Sequence, residues 1–131
     1  MKKLFVLGLL SIGLISCGNK KEDTTESLYP DREISLEEKL ISDGKKLFNS
    51  NKAACYSCHH MDKKVIGPSI IEIAKIYKEQ NGDMVAFLRK QAEPIVDPSQ
   101  YSVMETNFAI LKTMSDEELE SLEAYMMSTI E

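Results

Sequence analysis

With 131 residues, 43% of them apolar, and a formal net charge of −5, the chain suits one small domain with its own core. It has no basic excess to form the electrostatic footprint of a nucleic-acid binder. Three cysteines and two histidines mean that any thiol or imidazole chemistry must be built from five side chains.

The first element is an address. Lys2 and Lys3 precede an apolar run from Leu4 to Ile15, broken only by Gly8, Ser11 and Gly13, and small Ser16 stands before Cys17. This is the order of a secretory signal, a charged start, an apolar middle and a processing site. Twelve residues fall well short of the roughly 20 that a membrane-spanning helix needs. The sequence Leu14-Ile15-Ser16-Cys17 resembles the lipobox of bacterial lipoproteins. That resemblance implies removal of residues 1–16, acylation of Cys17 and tethering to a membrane outside the cytoplasm, stable because more than one acyl chain is attached. The mature chain then has 115 residues and a formal charge of −7. With Cys17 so used, the odd cysteine count of an exported protein is explained. Residues 17–33 follow as the lipidated cysteine and a solvated tether, in which Leu28 and Tyr29 are the only large apolar side chains; such a segment buries too little to offset the entropy of ordering it.

From Ile34 onward the patterning is helical. Leu36, Leu40, Leu47 and Phe48 fall on one stripe, and Gly44 stands in it where a side chain is expected. A glycine inside a helix gives up about 1 kcal/mol, which points to another backbone close by. Ile70, Ile73, Ala74 and Tyr77 predict a second helix started by Pro68. Asp83 predicts the cap of a third, through Val85, Phe87 and Leu88 and ended by Glu93-Pro94. Ser115 and Glu118 form a capping box for the last helix, whose apolar face is Leu119, Leu122 and Met126. Its six acids meet no base within the segment, which predicts one fully solvated face. No alternating run supports a sheet, so the fold class is all-α, with a folded domain over 34–131. The stretches 49–67 and 94–114 are long loops for so small a domain, and such loops tend to be functional.

The first of these loops contains "AACYSCHHMD", with Cys55, Cys58, His59 and His60. Zinc wants four converging ligands, usually as two separated pairs, and adjacent histidines behind a single CxxC do not supply that. A thioredoxin-like pair expects a βαβ setting, absent from this pattern; a plain disulfide would leave the histidine unexplained. Cys-x-x-Cys-His is the attachment signature of c-type haem. Its spacing lets two thiols bond one porphyrin edge and places the next histidine, His59, to ligate the iron. His60 is then a surface side chain.

On these residues the stretch from about Ile34 to Met127 resembles a class I cytochrome c of the short bacterial monohaem kind. The resemblance implies about four helices around one covalently bound haem c, with crossed N- and C-terminal helices. Gly44, Phe48 and Tyr125 match the glycine and aromatics of that crossing. Gly67 and Pro68 match the Gly-Pro that follows the haem motif, whose proline carbonyl accepts the proton of the ligand histidine. The sixth ligand is a methionine in the family, which raises the reduction potential. Met104, 45 residues after His59, lies where the family places it, though Glu105 follows where proline is common; Met114 is the other candidate, and an open sixth site remains a third reading. With Cys55, Cys58, His59, Gly67, Pro68 and Met104 in these roles, the resemblance implies a monomeric electron carrier rather than an enzyme. Its partners are extracytoplasmic redox proteins, an oxidase or a reductase, and its tie to the membrane is the lipid on Cys17. A haem-based sensor or small haem enzyme with a displaceable sixth ligand is the alternative. Lys45, Lys46, Lys52, Lys63 and Lys64 against Asp62 suggest a basic rim for acidic partners.

Overall fold

The computed structural model describes residues 34–131. The expected signal segment 1–16, the expected lipidation at Cys17 and the expected 17–33 tether fall outside the described residues. Six α-helices follow in chain order: α1 (Leu36–Phe48), α2 (Ile70–Gln80), α3 (Met84–Leu88), α4 (Tyr101–Glu105), α5 (Phe108–Leu111) and α6 (Asp116–Met127), with single 3-10 turns at Cys55–Ser57, Pro98–Gln100 and Ser128–Ile130. Among the described residues there is no β-strand, only one isolated bridge between His59 and Lys64. No helix among them is long and apolar enough to cross a membrane.

The ends of the long helices are set locally. Ser115 accepts from the Glu118 N–H while the Glu118 carboxylate accepts from the Ser115 N–H, the capping box its spacing predicts. Ser35 and Glu38 form an equivalent box at the start of α1, so that helix begins at Leu36 with a signal the apolar stripe did not reveal. Ser69 caps α2 by accepting from the Glu72 N–H, directly after Pro68. Asp83 caps α3 through the Ala86 N–H.

Two expectations need correction. The third helix ends at Leu88 rather than running to Glu93-Pro94, because Lys90 takes a left-handed conformation and turns the chain out of helical register. Nor is 94–114 an unstructured loop; it contains α4 and α5, each too short for a periodic signal.

α1 and α6 form the closest helix pair. A Cβ added to Gly44 would stand 1.7 Å from the Ser121 carbonyl oxygen and 2.9 Å from the Tyr125 Cβ, so the glycine is required by backbone approach, as the break in the stripe predicts. One turn later Phe48 meets Tyr125 edge-on at 5.5 Å between ring centres, the favoured arrangement for two aromatic quadrupoles. Phe48, Ile70, Leu111, Leu119 and Leu122 are among the core side chains that hold the helices together. Leu36 lies on the predicted stripe yet is exposed.

The acids of α6 are not uniformly solvated. Glu118 pairs with Lys52 and Asp116 with Arg89, both bases lying outside the helix. Glu123 is half-buried; burial, helped by the nearby Asp83 charge, raises its pKa above the ordinary carboxylate range, against a hydrogen bond from the Met84 N–H. In the unfolded chain this carboxyl titrates near its usual value of 4.5, so folding favours its protonated form. The stability it contributes is therefore complete below about pH 4.5 and is lost as pH rises through the higher folded pKa.

Two outcomes follow from these contacts. Gly44→Ala should cost at least about 2 kcal/mol of unfolding free energy in urea titration, since backbone rather than a flexible side chain blocks the methyl group. Glu123→Gln should raise the melting temperature at pH 7 and leave it nearly unchanged at pH 4, because the amide keeps an acceptor for Met84 and removes the cost of burying a charge.

Candidate functional site

The loop between α1 and α2 wraps the cysteine motif into one tight turn. Ala54 enters it in a left-handed conformation, φ 53°, and the Cys55 carbonyl then accepts from two N–H groups, those of Cys58 at 3.1 Å and His59 at 3.0 Å. Both thiols and the imidazole are thereby fixed on one short piece of backbone. The chain returns alongside: the Gly67 N–H donates to the Cys58 carbonyl at 2.9 Å and the Ile70 N–H to the His60 carbonyl at 2.9 Å.

Around this turn lies an apolar cavity of about 260 Å³. Cys55, Cys58 and His59 form part of its wall, with Phe48, Ile73, Tyr77, Leu88, Ile95 and Leu122 supplying apolar surface and Met104 and Tyr101 contributed by α4. The two loops singled out by their length do enclose a space. Cys55 and Cys58 are free thiols. Burial pushes the Cys55 thiol up to about 11, so it remains protonated at neutral pH.

His59 is held in a defined orientation. Its Nδ1 lies 2.8 Å from the Pro68 carbonyl oxygen, which makes Nδ1 the protonated nitrogen and leaves Nε2 with a lone pair for a metal centre. Burial lowers the His59 pKa below its ordinary 6.5, with the Pro68 carbonyl acting in the opposite direction; the neutral ligand form is favoured. Gly67 is needed for this contact, because a Cβ there would lie 2.5 Å from the His59 Cε1. His60, next in sequence, is exposed.

The methionines separate by position. Met61 is 42% exposed at the surface, and Met114 is buried in the core with Leu119, outside the cavity wall. Met84, Met104 and Met126 all line the cavity, and α3 and α6 bury Met84 and Met126 within the core. Met104 is half-buried and belongs to α4, within the segment that joins α3 to α6. Among the described residues no group of three His, Cys, Asp or Glu side chains converges on a metal-sized point, so a metal here would depend on the imidazole and a thioether, or on a cofactor's own donors.

Two contributors carry no local signal in the sequence. Asn107 donates from its side-chain amide to the Ala53 carbonyl at 3.3 Å and from its backbone to the Met104 carbonyl at 2.9 Å, which fastens the Met104 segment to the loop that bears the cysteines. Lys64 reaches Asp97 at 2.7 Å and ties the same loop to the approach to α4. The lysine-rich stretch is thus less basic than its composition implies: Lys46, Lys52 and Lys64 are each paired with a carboxylate from outside it.

The family model described as Cytochrome c matches residues 41–129, from within α1 through the end of α6, and so includes both walls of the cavity. A search of curated proteins finds no match.

Proposed function

The chain belongs to the cytochrome c family, and from that premise we propose that it is a membrane-tethered, extracytoplasmic electron carrier with a His/Met-ligated haem c. Membership in the family makes it a c-type cytochrome that transfers electrons and is not itself a catalyst. The finer reading is carried by one observation: His59, its Nδ1 anchored 2.8 Å from the Pro68 carbonyl, stands in the wall of an apolar cavity together with two free thiols and Met104.

The donor set fits the group. Cys55 and Cys58 would hold a haem through thioether bonds, and the His59 Nε2 and the Met104 sulfur would hold its iron. Bound there, the haem supplies a one-electron couple whose potential a thioether ligand raises. The remaining work belongs to the chain. Pro68 fixes the imidazole plane and its tautomer, Gly67 lets the 65–68 turn pass against the ring, and the apolar lining keeps water from the metal and lowers the local dielectric. Ile66 and Val103 line the cavity while remaining about half exposed, so this rim is where electrons would pass to a redox partner. The lipobox-like Leu14-Ile15-Ser16-Cys17 supports acylation at Cys17 and removal of residues 1–16, and residues 17–33 would then serve as the tether.

If His59 and Met104 both hold the iron, no position would be left for a substrate or signalling gas. The reduced wild-type protein should bind carbon monoxide poorly and retain its haem in a pyridine haemochrome assay after denaturation; Met104→Ala should lack the long-wavelength iron–thioether band of the ferric protein and, once reduced, should bind carbon monoxide tightly. Fast, tight binding by the wild type would instead favour a sensor or small haem enzyme. In the same preparation Cys17→Ala should move the protein out of the membrane fraction without altering its haem spectrum.

A further inference from the structure

The corner after α3 combines two features that helix ends rarely join. The Lys90 N–H donates to the Phe87 carbonyl at 2.8 Å and the Gln91 N–H to the Ala86 carbonyl at 2.8 Å. This is the Schellman closure, with Lys90 at the left-handed position, φ 61°, usually held by glycine because a Cβ is crowded there. A lysine in that conformation is strained, and strain of this sort is kept where the side chain has a task elsewhere.

Its side chain has one. The Lys90 ammonium pairs with the Glu105 carboxylate, and Glu105 is the last residue of α4, directly after Met104. The preceding residue acts on the other end of the same segment: Arg89 donates from Nη1 to the Met114 carbonyl at 2.9 Å and pairs with Asp116 at the start of α6. Two consecutive cations at one corner therefore hold the chain between Met104 and α6 at both of its ends. The Arg89 grip secures the helix start, and the Lys90 grip bears on the residue beside the methionine.

We propose that Lys90 is a positioning residue for the sixth ligand, its ion pair with Glu105 holding α4 against the cavity so that an external ligand displaces Met104 less readily. The proposal rests on the reading of Met104 as that ligand. The pair is about half exposed on both sides, so its effect is modest and salt-sensitive. It works against the preference of the backbone, and that opposition makes it testable, because removing the lysine relieves the corner while releasing the strap.

The experiment uses the haem-loaded ferric protein and follows imidazole binding by the loss of the iron–thioether band, alongside thermal unfolding. Lys90→Gly should raise the melting temperature, since glycine suits the left-handed position, yet raise imidazole affinity about two- to fivefold. Wild-type affinity should rise toward that of Lys90→Gly as salt increases to about 0.5 M, where the pair is screened, and the variant should be nearly insensitive to salt. Lys90→Glu alone should bind imidazole at least as well as Lys90→Gly, and Lys90→Glu combined with Glu105→Lys should return toward wild type. If Lys90→Gly leaves imidazole affinity unchanged while Met104→Ala raises it strongly, the positioning role is overturned and the ligand assignment stands. If Met104→Ala itself binds imidazole no better than wild type, the ligand assignment fails and the proposal with it.

Discussion

The structure depends on how closely α1 and α6 approach. At Gly44 the two backbones are so near that the Ser121 carbonyl occupies the place of a side chain, and the edge-on contact of Phe48 with Tyr125 continues the joint one turn later. This joint brings the beginning and end of the folded domain together, so that everything between them forms a closed circuit. A small all-α domain has little core to spare, and this one gives part of its interior to a cavity. Phe48 and Leu122 belong both to the core and to the cavity wall, which means that the helix joint and the site share side chains and cannot be altered independently.

Within that frame the chemistry is divided between two loops with different mechanical properties. The cysteine loop is stiffened by backbone hydrogen bonds: one carbonyl, Cys55, gathers two N–H groups, and the returning segment bonds to Cys58 and His60. Its imidazole is oriented by a backbone oxygen, an acceptor that does not titrate. The methionine segment has no comparable network to the cavity. α4 and α5 are five and four residues long, shorter than an isolated helix can sustain, and they are held by tertiary contacts: Phe108 and Leu111 in the core, Tyr101 against Phe87, and the polar ties of Asn107 to Ala53 and Glu105 to Lys90. One face of the site is therefore tied by backbone hydrogen bonds, and the other by core packing of Phe108 and Leu111 together with a few side-chain contacts at its surface.

That division also explains what could be read from the sequence. Features fixed by neighbours in the chain were legible: the Ser115–Glu118 box, the Asp83 cap and the periodic face of α2 each declare themselves within a few residues. Gly44 was legible for a different reason, since a glycine in an apolar stripe conflicts with helix propensity and the conflict needs a cause. The cysteine motif was legible because covalent chemistry constrains spacing more tightly than packing does. The end of α3 was not, because Pro94 marks where a helix cannot continue, whereas Lys90 ends it four residues earlier in a conformation lysine rarely adopts. The paired acids of α6 were also hidden, as Lys52 and Arg89 lie 66 and 27 residues from their partners. The Asn107–Ala53 contact spans 54 residues and has no local pattern at all.

A site whose two walls are tied by different kinds of contact has a consequence for its chemistry. One-electron transfer is fastest when the surroundings of the redox centre change little between oxidation states, which favours a ligand set held by the fold rather than by the metal alone. As the proposed ligands, His59 would meet that condition through Pro68 and Gly67, and Met104 would meet it as far as α4 is kept in place by its packing and by side chains that reach across from α3 and from the cysteine loop. On the proposed His/Met reading, the same few residues that lie outside the cysteine motif would govern how readily an outside ligand enters the cavity. With Met104 as the proposed ligand, how firmly this five-residue helix is held against the rest would set the boundary between an electron carrier and a ligand-binding haem protein.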